Sequence, residues 1–300
     1  MGGGGGGDAS LTQFESLVIG GLAGAMCEAF VMPPMVIRTR MMVQGVEGAS
    51  SAVYTSFFDA VGTMYKTEGI RSFFKGLGVN FAFTPLARGL YMVGLETSKK
   101  NLGEGTALKD FASGMNAQLV ASIAYVPRDI VVERCAIDGN VAKQVGSTAS
   151  SYKALKTIIT SEGLGGFFRA FLPHQLVWVP FNGLFFTFLG KCKQIEDEYT
   201  SIDSSGYAIG VANTFLSAGG AAICTNPIDV VKTRMQVAGA NPEVFSYTGP
   251  IDCLLKLLKT EGPTALFAGL TGRTLYAGVG FAIFLPTYDI LKKLYFESRA

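Results

Sequence analysis

Prolines at three matched positions divide the chain into copies of one pattern, and this repetition limits the folds open to it. Pro33, Pro127 and Pro227 each lie near the end of a long apolar stretch, with spacings of 94 and 100 residues. An arginine follows seven residues after each proline, at positions Arg40, Arg134 and Arg234. A proline inside a long helix removes one backbone hydrogen bond and kinks the helix. A kinked helix that recurs at a nearly fixed period predicts an array of similar helical units.

A second motif recurs in step with the first. Glu-Gly pairs begin at Glu68, Glu162 and Glu261, with spacings of 94 and 99 residues. Each copy has a short amphipathic segment before this motif and another long apolar stretch after it. We therefore predict three tandem repeats, residues 14–104, 105–200 and 201–300, after a disordered glycine-rich N-terminus at residues 1–13.

Composition places these repeats in a membrane. Only 16% of the residues are charged and the mean hydropathy is +0.34, whereas soluble domains carry about 25% charged residues. No stretch is uniformly apolar, which predicts several helices that each have one lipid-facing and one polar side. Gly20 and Gly24 have the spacing that lets two membrane helices approach closely.

The same numbers exclude several classes of function. A net charge of +2 is too small to indicate a nucleic-acid partner. The five cysteines include no CxxC pair, and the chain has a single histidine. These counts argue against a disulfide framework, a metal site and a catalytic triad. We therefore predict that the protein is not an enzyme and holds no cofactor.

The combined motifs, Pro-x-Asp-x-x-Lys-x-Arg followed by Glu-Gly and an aromatic-basic-Gly element, closely resemble the mitochondrial carrier family (solute carrier family 25) over residues 14–296. The resemblance implies an all-α membrane protein with six transmembrane helices in a pseudo-three-fold barrel and three amphipathic helices on the matrix side. It also implies a monomeric, multi-pass transporter of the mitochondrial inner membrane. Such a protein moves a small-molecule substrate by alternating access through one central cavity.

In the family, charged residues that follow the prolines form a gate on the matrix side. Carried over to this sequence, Asp129 pairs with Lys232 and Asp229 pairs with Arg38. The third pair falls on Met35 and Val132, which are both apolar. Because loss of one partner would leave a buried charge unpaired, the joint loss is physically consistent and predicts a hydrophobic contact.

The resemblance implies three further sets of contacts. On the cytosolic side it pairs Glu96 with Lys193 and Asp289 with Lys99, and it leaves Lys292 without a partner. Within the repeats it joins the three arginines to the three Glu-Gly glutamates. Helix N-termini before Lys75, Arg169 and Ala268 resemble the family's cardiolipin phosphate sites, because a helix N-terminus attracts anions.

The family's substrate contacts fall on six positions, two in the second long helix of each repeat. They are Phe83 and Thr84, Val177 and Trp178, and Tyr276 and Ala277. Glu28 and Arg88 lie close to them in the chain pattern, and charges inside apolar helices are functional candidates. These two residues either pair with each other or bind the substrate. A deeper set consists of Asn80, His174 and Arg273.

These positions favour a small zwitterionic or cationic metabolite, such as an amino acid or an amino-acid-derived cofactor, because the clustered bases that a polyanion needs are missing. Arg273 with Tyr276 is similar to the mitoferrin and S-adenosylmethionine carriers, and residues 37–40 and 78–80 are similar to carriers grouped with branched-chain amino acid transport. Two alternatives stay open. Sulfur atoms of Met26, Cys27, Met32 and Met35, with Glu28, indicate a transition-metal carrier. The missing gate pair fits a carrier-like receptor or scaffold that does not transport.

Overall fold

The computed structural model describes residues 11–44, 54–103, 106–136, 155–156, 158–168, 171–199, 207–238 and 247–298. These residues are helical, and no strand occurs among them. The helices are α1 (Gln13–Val43), α2 (Phe57–Glu68), α3 (Leu77–Leu102), α4 (Ala107–Ala136), α5 (Phe171–Tyr199), α6 (Tyr207–Ala238), α7 (Pro250–Thr260) and α8 (Leu270–Glu297). Short 3-10 turns at Ile70–Phe74, Leu164–Phe168 and Pro263–Phe267 precede α3, α5 and α8.

The first helix shows how local sequence sets an element's limits. Thr12 caps α1: its hydroxyl accepts a hydrogen bond from the Glu15 amide, and the Glu15 carboxylate accepts one from the Thr12 amide at 2.8 Å. This reciprocal capping box fixes the start of the helix. The helix then continues through Pro33, as α4 and α6 continue through Pro127 and Pro227. The disorder predicted for residues 1–13 falls largely on residues 1–10, which lie outside the described residues.

The six long helices form a closed ring. Each packs on the next in the order α1, α3, α4, α5, α6 and α8, and α8 packs back on α1. Glycines allow the closest approach, between α1 and α3. A Cβ atom built on Gly89 would lie 2.4 Å from the Leu17 carbonyl oxygen, and one built on Gly24 would lie 2.5 Å from Cγ of Arg88. The close approach predicted from Gly20 and Gly24 is therefore present.

The outer surface of the ring is apolar. On α1, exposed large side chains recur at about one-turn intervals: Phe14, Val18, Leu22, Met26 and Phe30. Among the described residues, two helical stretches, Gln13–Val43 and Pro263–Glu297, are long and apolar enough to cross a membrane. The other long helices carry more polar residues, and many of these are buried on their inner sides.

On the side where α1, α4 and α6 end, three arginines join the repeats in a cycle. Arg40 donates from Nε to the Ala136 carbonyl at 2.9 Å, Arg134 to the Gln236 carbonyl at 3.4 Å, and Arg234 to the Met42 carbonyl at 2.9 Å. Each arginine of this arginine cycle therefore binds a carbonyl at the end of the first long helix of the next repeat. Such carbonyls have no partner within their own helix.

Two of these arginines also bind the predicted glutamates. Arg40 contacts Glu68, and Arg234 contacts Glu261, with second contacts at 2.9 and 2.8 Å. Burial opposes ionisation of Glu68, but Arg40 and Lys75 outweigh it and hold the pKa of this carboxyl at about 2. The side chain of Glu162, the predicted partner of Arg134, and the site at Arg169 lie outside the described residues. Of the amphipathic helix predicted in the second repeat, the structure describes residues 155–156 and a π-helical turn at Ile158–Glu162.

Candidate functional site

Inside the ring lies a small inner cavity of about 40 Å³. Its lining residues are Arg88 and Tyr91 from α3, Gln118, Tyr125, Arg128 and Asp129 from α4, His174, Trp178 and Asn182 from α5, and Tyr276, Ala277, Gly280 and Phe281 from α8. Of the predicted substrate residues, the cavity brings together Arg88, His174, Trp178, Tyr276 and Ala277. The side chains of Glu28, Phe83, Thr84, Val177, Asn80 and Arg273 do not line it.

At the other end of the ring is a wider cavity of about 530 Å³, which we call the outer vestibule. Five predicted charges line it: Glu96, Lys99, Lys193, Asp289 and Lys292.

The pairing predicted for these charges is not formed in this structure, in which the vestibule is open. Glu96 forms an ion pair with Lys292 at 3.3 Å rather than with Lys193, so Lys292 has a partner. Tyr288 and Ser16 donate hydrogen bonds to the same carboxylate at 2.6 and 2.9 Å. Asp289 has no ion-pair partner among the described residues. The physical reason is the width of the vestibule: Glu96 binds the side chains that α1 and α8 present to it, while Lys193 stands on another wall.

Aromatic rings fill the space between the two cavities. Phe281, which lines the inner cavity, stacks on Phe185 with centroids 4.2 Å apart, and Phe185 meets the vestibule residue Phe186 edge-on at 5.2 Å. The Arg88 guanidinium lies 4.7 Å from the Phe284 ring centroid and 5.7 Å from that of Phe281. Such cation–π contacts hold the guanidinium in place without neutralising its charge.

Towards the opposite end lies a group of buried charges, the inner charge cluster. Arg38 contacts Asp229, with Nε–Oδ2 at 3.0 Å, and Arg273 Nε lies 3.4 Å from the same oxygen. Lys232 Nζ lies 3.5 Å from Asp129 Oδ2 and 3.1 Å from Glu133 Oε1. Both predicted contacts, Asp229 with Arg38 and Asp129 with Lys232, are present.

Two members of this cluster were not predicted. Arg128 bonds to Asp129 at 2.6 Å, and Glu133 bonds to Lys232. The aligned positions in the other repeats hold Pro34 and Ile228 for Arg128, and Thr39 and Thr233 for Glu133. A charge present in one repeat alone was therefore the signal that could have found them.

The third corner of the cluster is apolar. Met35 and Val132 are buried in one apolar group, with Met32, Met41 and Ala136 among its other members. The predicted hydrophobic contact thus has its residues in place. The missing pair does not reduce the number of ionic contacts, however, because Glu133 supplies Lys232 with a second carboxylate.

Trp178 lies between the inner cavity and part of the inner charge cluster, whereas Arg128 and Asp129 of the cluster line the cavity directly. Its ring centroid lies 5.6 Å from the Arg273 guanidinium, 5.8 Å from Lys232 Nζ and 5.9 Å from the Arg38 guanidinium. Three cations from α8, α6 and α1 therefore converge on one ring, which also lines the cavity. A molecule in the cavity that contacts Trp178 is one residue away from these charges.

Glu28 and Arg88 do not pair with each other. Glu28 accepts a hydrogen bond from the Asn80 side chain, whose nitrogen also lies 3.0 Å from the Met32 sulfur. Arg88 is 8% exposed and has neither a hydrogen bond nor an ion pair within the described part of the chain. A buried guanidinium that faces a cavity and has no ion-pair partner of its own is a candidate binding group for an anion.

The sulfur atoms of α1 do not converge. Met26 is 60% exposed on the outer surface, the Cys27 thiol bonds to the Ala23 carbonyl, and Met35 lies in the apolar group. The described residues contain no group of three or more His, Cys, Asp or Glu placed to hold a metal ion. This arrangement gives the transition-metal alternative no ligand set.

The chain is similar to known carriers along nearly its whole length. Residues 9–106, 103–198 and 206–299 match the family described as Mitochondrial carrier protein. Mitochondrial substrate carrier family protein E of Dictyostelium discoideum is 29% identical over 93% of this chain and 95% of the relative. Human Solute carrier family 25 member 44 is 27% identical over 90% and 87%. Probable S-adenosylmethionine carrier 2, chloroplastic, of Arabidopsis thaliana is 27% identical over 95% and 75%.

Proposed function

This chain belongs to the mitochondrial carrier family, whose members are transporters rather than enzymes, and we propose that it carries a small zwitterionic metabolite across the mitochondrial inner membrane by alternating access. The six long helices would span the membrane, with the apolar outer surface facing lipid. Their buried polar sides would line the route of the substrate, as groups that face the interior of a membrane bundle do.

The two ends of the ring differ, and this difference supports a gated route. The inner charge cluster would be the matrix gate, with Arg38, Asp129, Asp229 and Lys232 at most 4% exposed. The outer vestibule would be the open cytosolic side, where Glu96, Lys99, Lys193, Asp289 and Lys292 would form a second gate after closure. Exposed ion pairs contribute little, so charges lining a wet vestibule would cost little to separate.

The observation that carries the substrate class is the unpaired Arg88 in the inner cavity. A carboxylate would pair with its guanidinium, and the aromatic walls of Trp178, Tyr276 and Phe281 would contact an apolar body. Glu28 accepts a hydrogen bond from Asn80 outside the cavity lining, and it would be the acid that binds the amine of the substrate. A purely cationic substrate would meet Arg88 as a like charge, so a zwitterion such as an amino acid, or an amino-acid-derived cofactor, fits better.

A thermal-shift screen of the purified protein tests this assignment. Amino acids, S-adenosylmethionine, nucleotides, polycarboxylates and divalent metals would be compared, because a ligand of the folded state stabilises it by about 2.7 kcal/mol at 100 times its Kd. Amino acids or S-adenosylmethionine should stabilise the wild type and Arg71→Gln, an exposed control. They should not stabilise Arg88→Gln.

Other outcomes would replace the assignment. A shift with metals alone would favour the metal carrier despite the dispersed sulfurs. A shift with nucleotides or polycarboxylates would contradict the zwitterion. If no compound stabilises the protein and proteoliposomes show no flux, the receptor or scaffold alternative stands.

A cavity of about 500 Å³ between the end of α1 and the starts of α2 and α8 would bind a cardiolipin-like lipid. It is bordered by Ser56 and Phe57 at the start of α2 and by Gly269 and Leu270 at the start of α8. Two helix N-termini thus face one cavity, where their amides would bind a phosphate group. Because the ring closes within one chain, we propose a monomer, and cardiolipin titration by native mass spectrometry would test both statements.

A further inference from the structure

His174 is the chain's single histidine, and the function proposed above gives it no part. Its side chain is 1% exposed and lines the inner cavity beside the inner charge cluster. Nδ1 lies 3.4 Å from Asp129 Oδ2, and Nε2 lies 3.1 Å from the Gln118 side-chain nitrogen. The imidazole therefore stands between the cavity and the proposed matrix gate.

A chain of hydrogen bonds determines which nitrogen carries the proton. The Tyr91 hydroxyl donates to Asn182 Oδ1 at 2.8 Å, and Asn182 Nδ2 donates to Gln118 Oε1 at 3.1 Å. With its oxygen engaged, Gln118 presents its amide N–H to His174. Nε2 must accept this hydrogen, so the proton of the neutral ring is on Nδ1, facing Asp129.

In this state each carboxylate near His174 already contacts a cation, so none is free to stabilise a second proton on the ring. Arg128 and Asp129 face it from α4, and Lys232 and Asp229 face it from α6. Arg88 of α3 lines the same cavity. Arg38 of α1 and Arg273 of α8 contact the Trp178 ring, whose centroid is 6.3 Å from that of His174.

Within the inner charge cluster the cations outnumber the acids. The cations are Arg38, Arg128, Lys232 and Arg273, and the acids are Asp129, Glu133 and Asp229. Each acid already contacts at least one cation. A positive charge on His174 would add to this excess in a buried place, where like charges repel strongly.

Opening of the gate would remove the excess of positive charge around His174. For the matrix side to open, α6 must leave α4, and Lys232 would leave Asp129 with it. His174 and Asp129 belong to the packed pair α5 and α4 of one repeat, so they would stay together. Asp129 would lose one of its cations, and water would enter.

We propose that His174 is a proton-binding site that is empty while the matrix gate is closed and takes up a proton from matrix water when the gate opens. This proposal rests on the carrier function above and adds a proton to the transport cycle. By linkage, a ligand that binds only the open state stabilises it. Acidification of the matrix side therefore promotes opening, and closure expels the proton.

The same hydrogen bonds connect this proton to the substrate cavity. A protonated Nε2 needs an acceptor, so Gln118 must turn its oxygen towards it. Asn182 must then turn its own amide, and the Tyr91 hydroxyl becomes the acceptor at the far end. Tyr91, Asn182 and Arg88 all line the cavity, so the donors and acceptors offered to a substrate differ between the two protonation states.

The direct test uses one introduced cysteine that only an open gate exposes, in a chain whose five native cysteines are replaced by serine. Val132→Cys lies at the apolar corner of the proposed gate, and the full-length protein in liposomes is treated with a water-soluble maleimide. Each rate is divided by the rate for the denatured protein at the same pH. Between about pH 7.5 and about pH 6, which spans the ordinary titration of histidine, the normalised rate should rise at least threefold. It should not change in Val132→Cys with His174→Gln.

Trp178, the single tryptophan, gives a second measurement, because imidazolium quenches indole fluorescence. In Lys232→Gln, which removes the cation beside Asp129, fluorescence should fall on acidification at a higher pH than in the wild type, and adding His174→Gln should abolish the fall. Tyr91→Phe keeps every charge but releases Gln118, so labelling should accelerate from a higher pH.

An identical pH response with and without His174 in either measurement overturns the proposal, and so does a labelling rate that ignores pH in both proteins. Neither readout needs a transported compound. A failed ligand screen would therefore count against the proposed function and leave this result standing.

Discussion

Asp229→Asn is the substitution with the largest effect expected on the inner charge cluster. Asp229 is fully buried, and one of its oxygens serves both Arg38 at 3.0 Å and Arg273 at 3.4 Å. Asparagine keeps the size of the side chain and removes its charge. The two guanidiniums, each at most 1% exposed, would then lie beside each other and beside Trp178 without their shared counter-charge.

The cost follows from the burial. Removing one partner of a buried ion pair costs about 3–5 kcal/mol, because the remaining charge stays desolvated. In this protein part of the cost can be avoided by opening: Arg38 lies on α1 and Arg273 on α8, and separation of these helices from α6 would admit water. Because about 1.4 kcal/mol changes an equilibrium tenfold, a loss of about 3 kcal/mol would shift the closed-to-open ratio by roughly a hundredfold.

The assay compares thermal unfolding of the purified variant with that of Asp252→Asn. Asp252 pairs with Lys256 on the exposed side of α7 at 2.9 Å, and such helix pairs contribute about 0.3–0.5 kcal/mol. Asp229→Asn should lower the unfolding temperature clearly and speed maleimide labelling of Val132→Cys, whereas Asp252→Asn should do neither. Equal effects of the two substitutions would refute the assignment of Asp229 to a closed gate.

Three further predictions concern packing and charge outside this pair. Gly89→Ala should destabilise the protein by about 1–3 kcal/mol in thermal unfolding, because the added carbon meets the Leu17 carbonyl; Gly62→Ala on α2, where a Cβ meets nothing within 4 Å, should be neutral or stabilising. Glu68→Gln should cost about 1.5–3 kcal/mol near neutral pH, since hydrogen bonds to charged groups are lost. With a pKa of about 2 in the folded protein against 4.5 ordinarily, this difference from the wild type should be full above about pH 4.5 and shrink towards pH 2; a difference independent of pH would contradict it. Met35→Asp should destabilise the protein by several kcal/mol as an unpaired buried charge, and Met35→Leu, its apolar control, should not.

The repeat determined most of what could be predicted. Motifs that recur in step specified a helical array and the contacts between motif residues, such as Arg38 with Asp229 and Arg40 with Glu68. These contacts are the ones that the family resemblance implied: Arg38 meets the acid of a neighbouring repeat, and Arg40 meets the Glu-Gly glutamate of its own repeat. The start of the first helix was not predicted from its cap, because Thr12 was assigned to the disordered N-terminus, whereas the structure shows it capping α1.

The residues that break the symmetry were harder to find. Glu133, Gln118 and Asn182 belong to no motif, and their contacts depend on how far each helix is rotated about its axis. Glu96 pairs with Lys292 because hydrogen bonds from Tyr288 and Ser16 hold the Glu96 carboxylate on that side of the open vestibule. Such contacts depend on the width of the vestibule and on the rotation of each helix about its axis. The packing of all six long helices determines both.

The arginine cycle has a consequence for the order of the repeats. Its links run from Arg40 to Ala136, from Arg134 to Gln236 and from Arg234 to Met42, so the last repeat returns to the first without a peptide bond between them. The start of α1 and the end of α8 already lie together at the vestibule, where Ser16 and Lys292 share Glu96. A circular permutant that joins these ends by a flexible linker and begins at the second repeat would keep all three links. A chain shortened to two repeats could not close the cycle, so these three links need the complete ring.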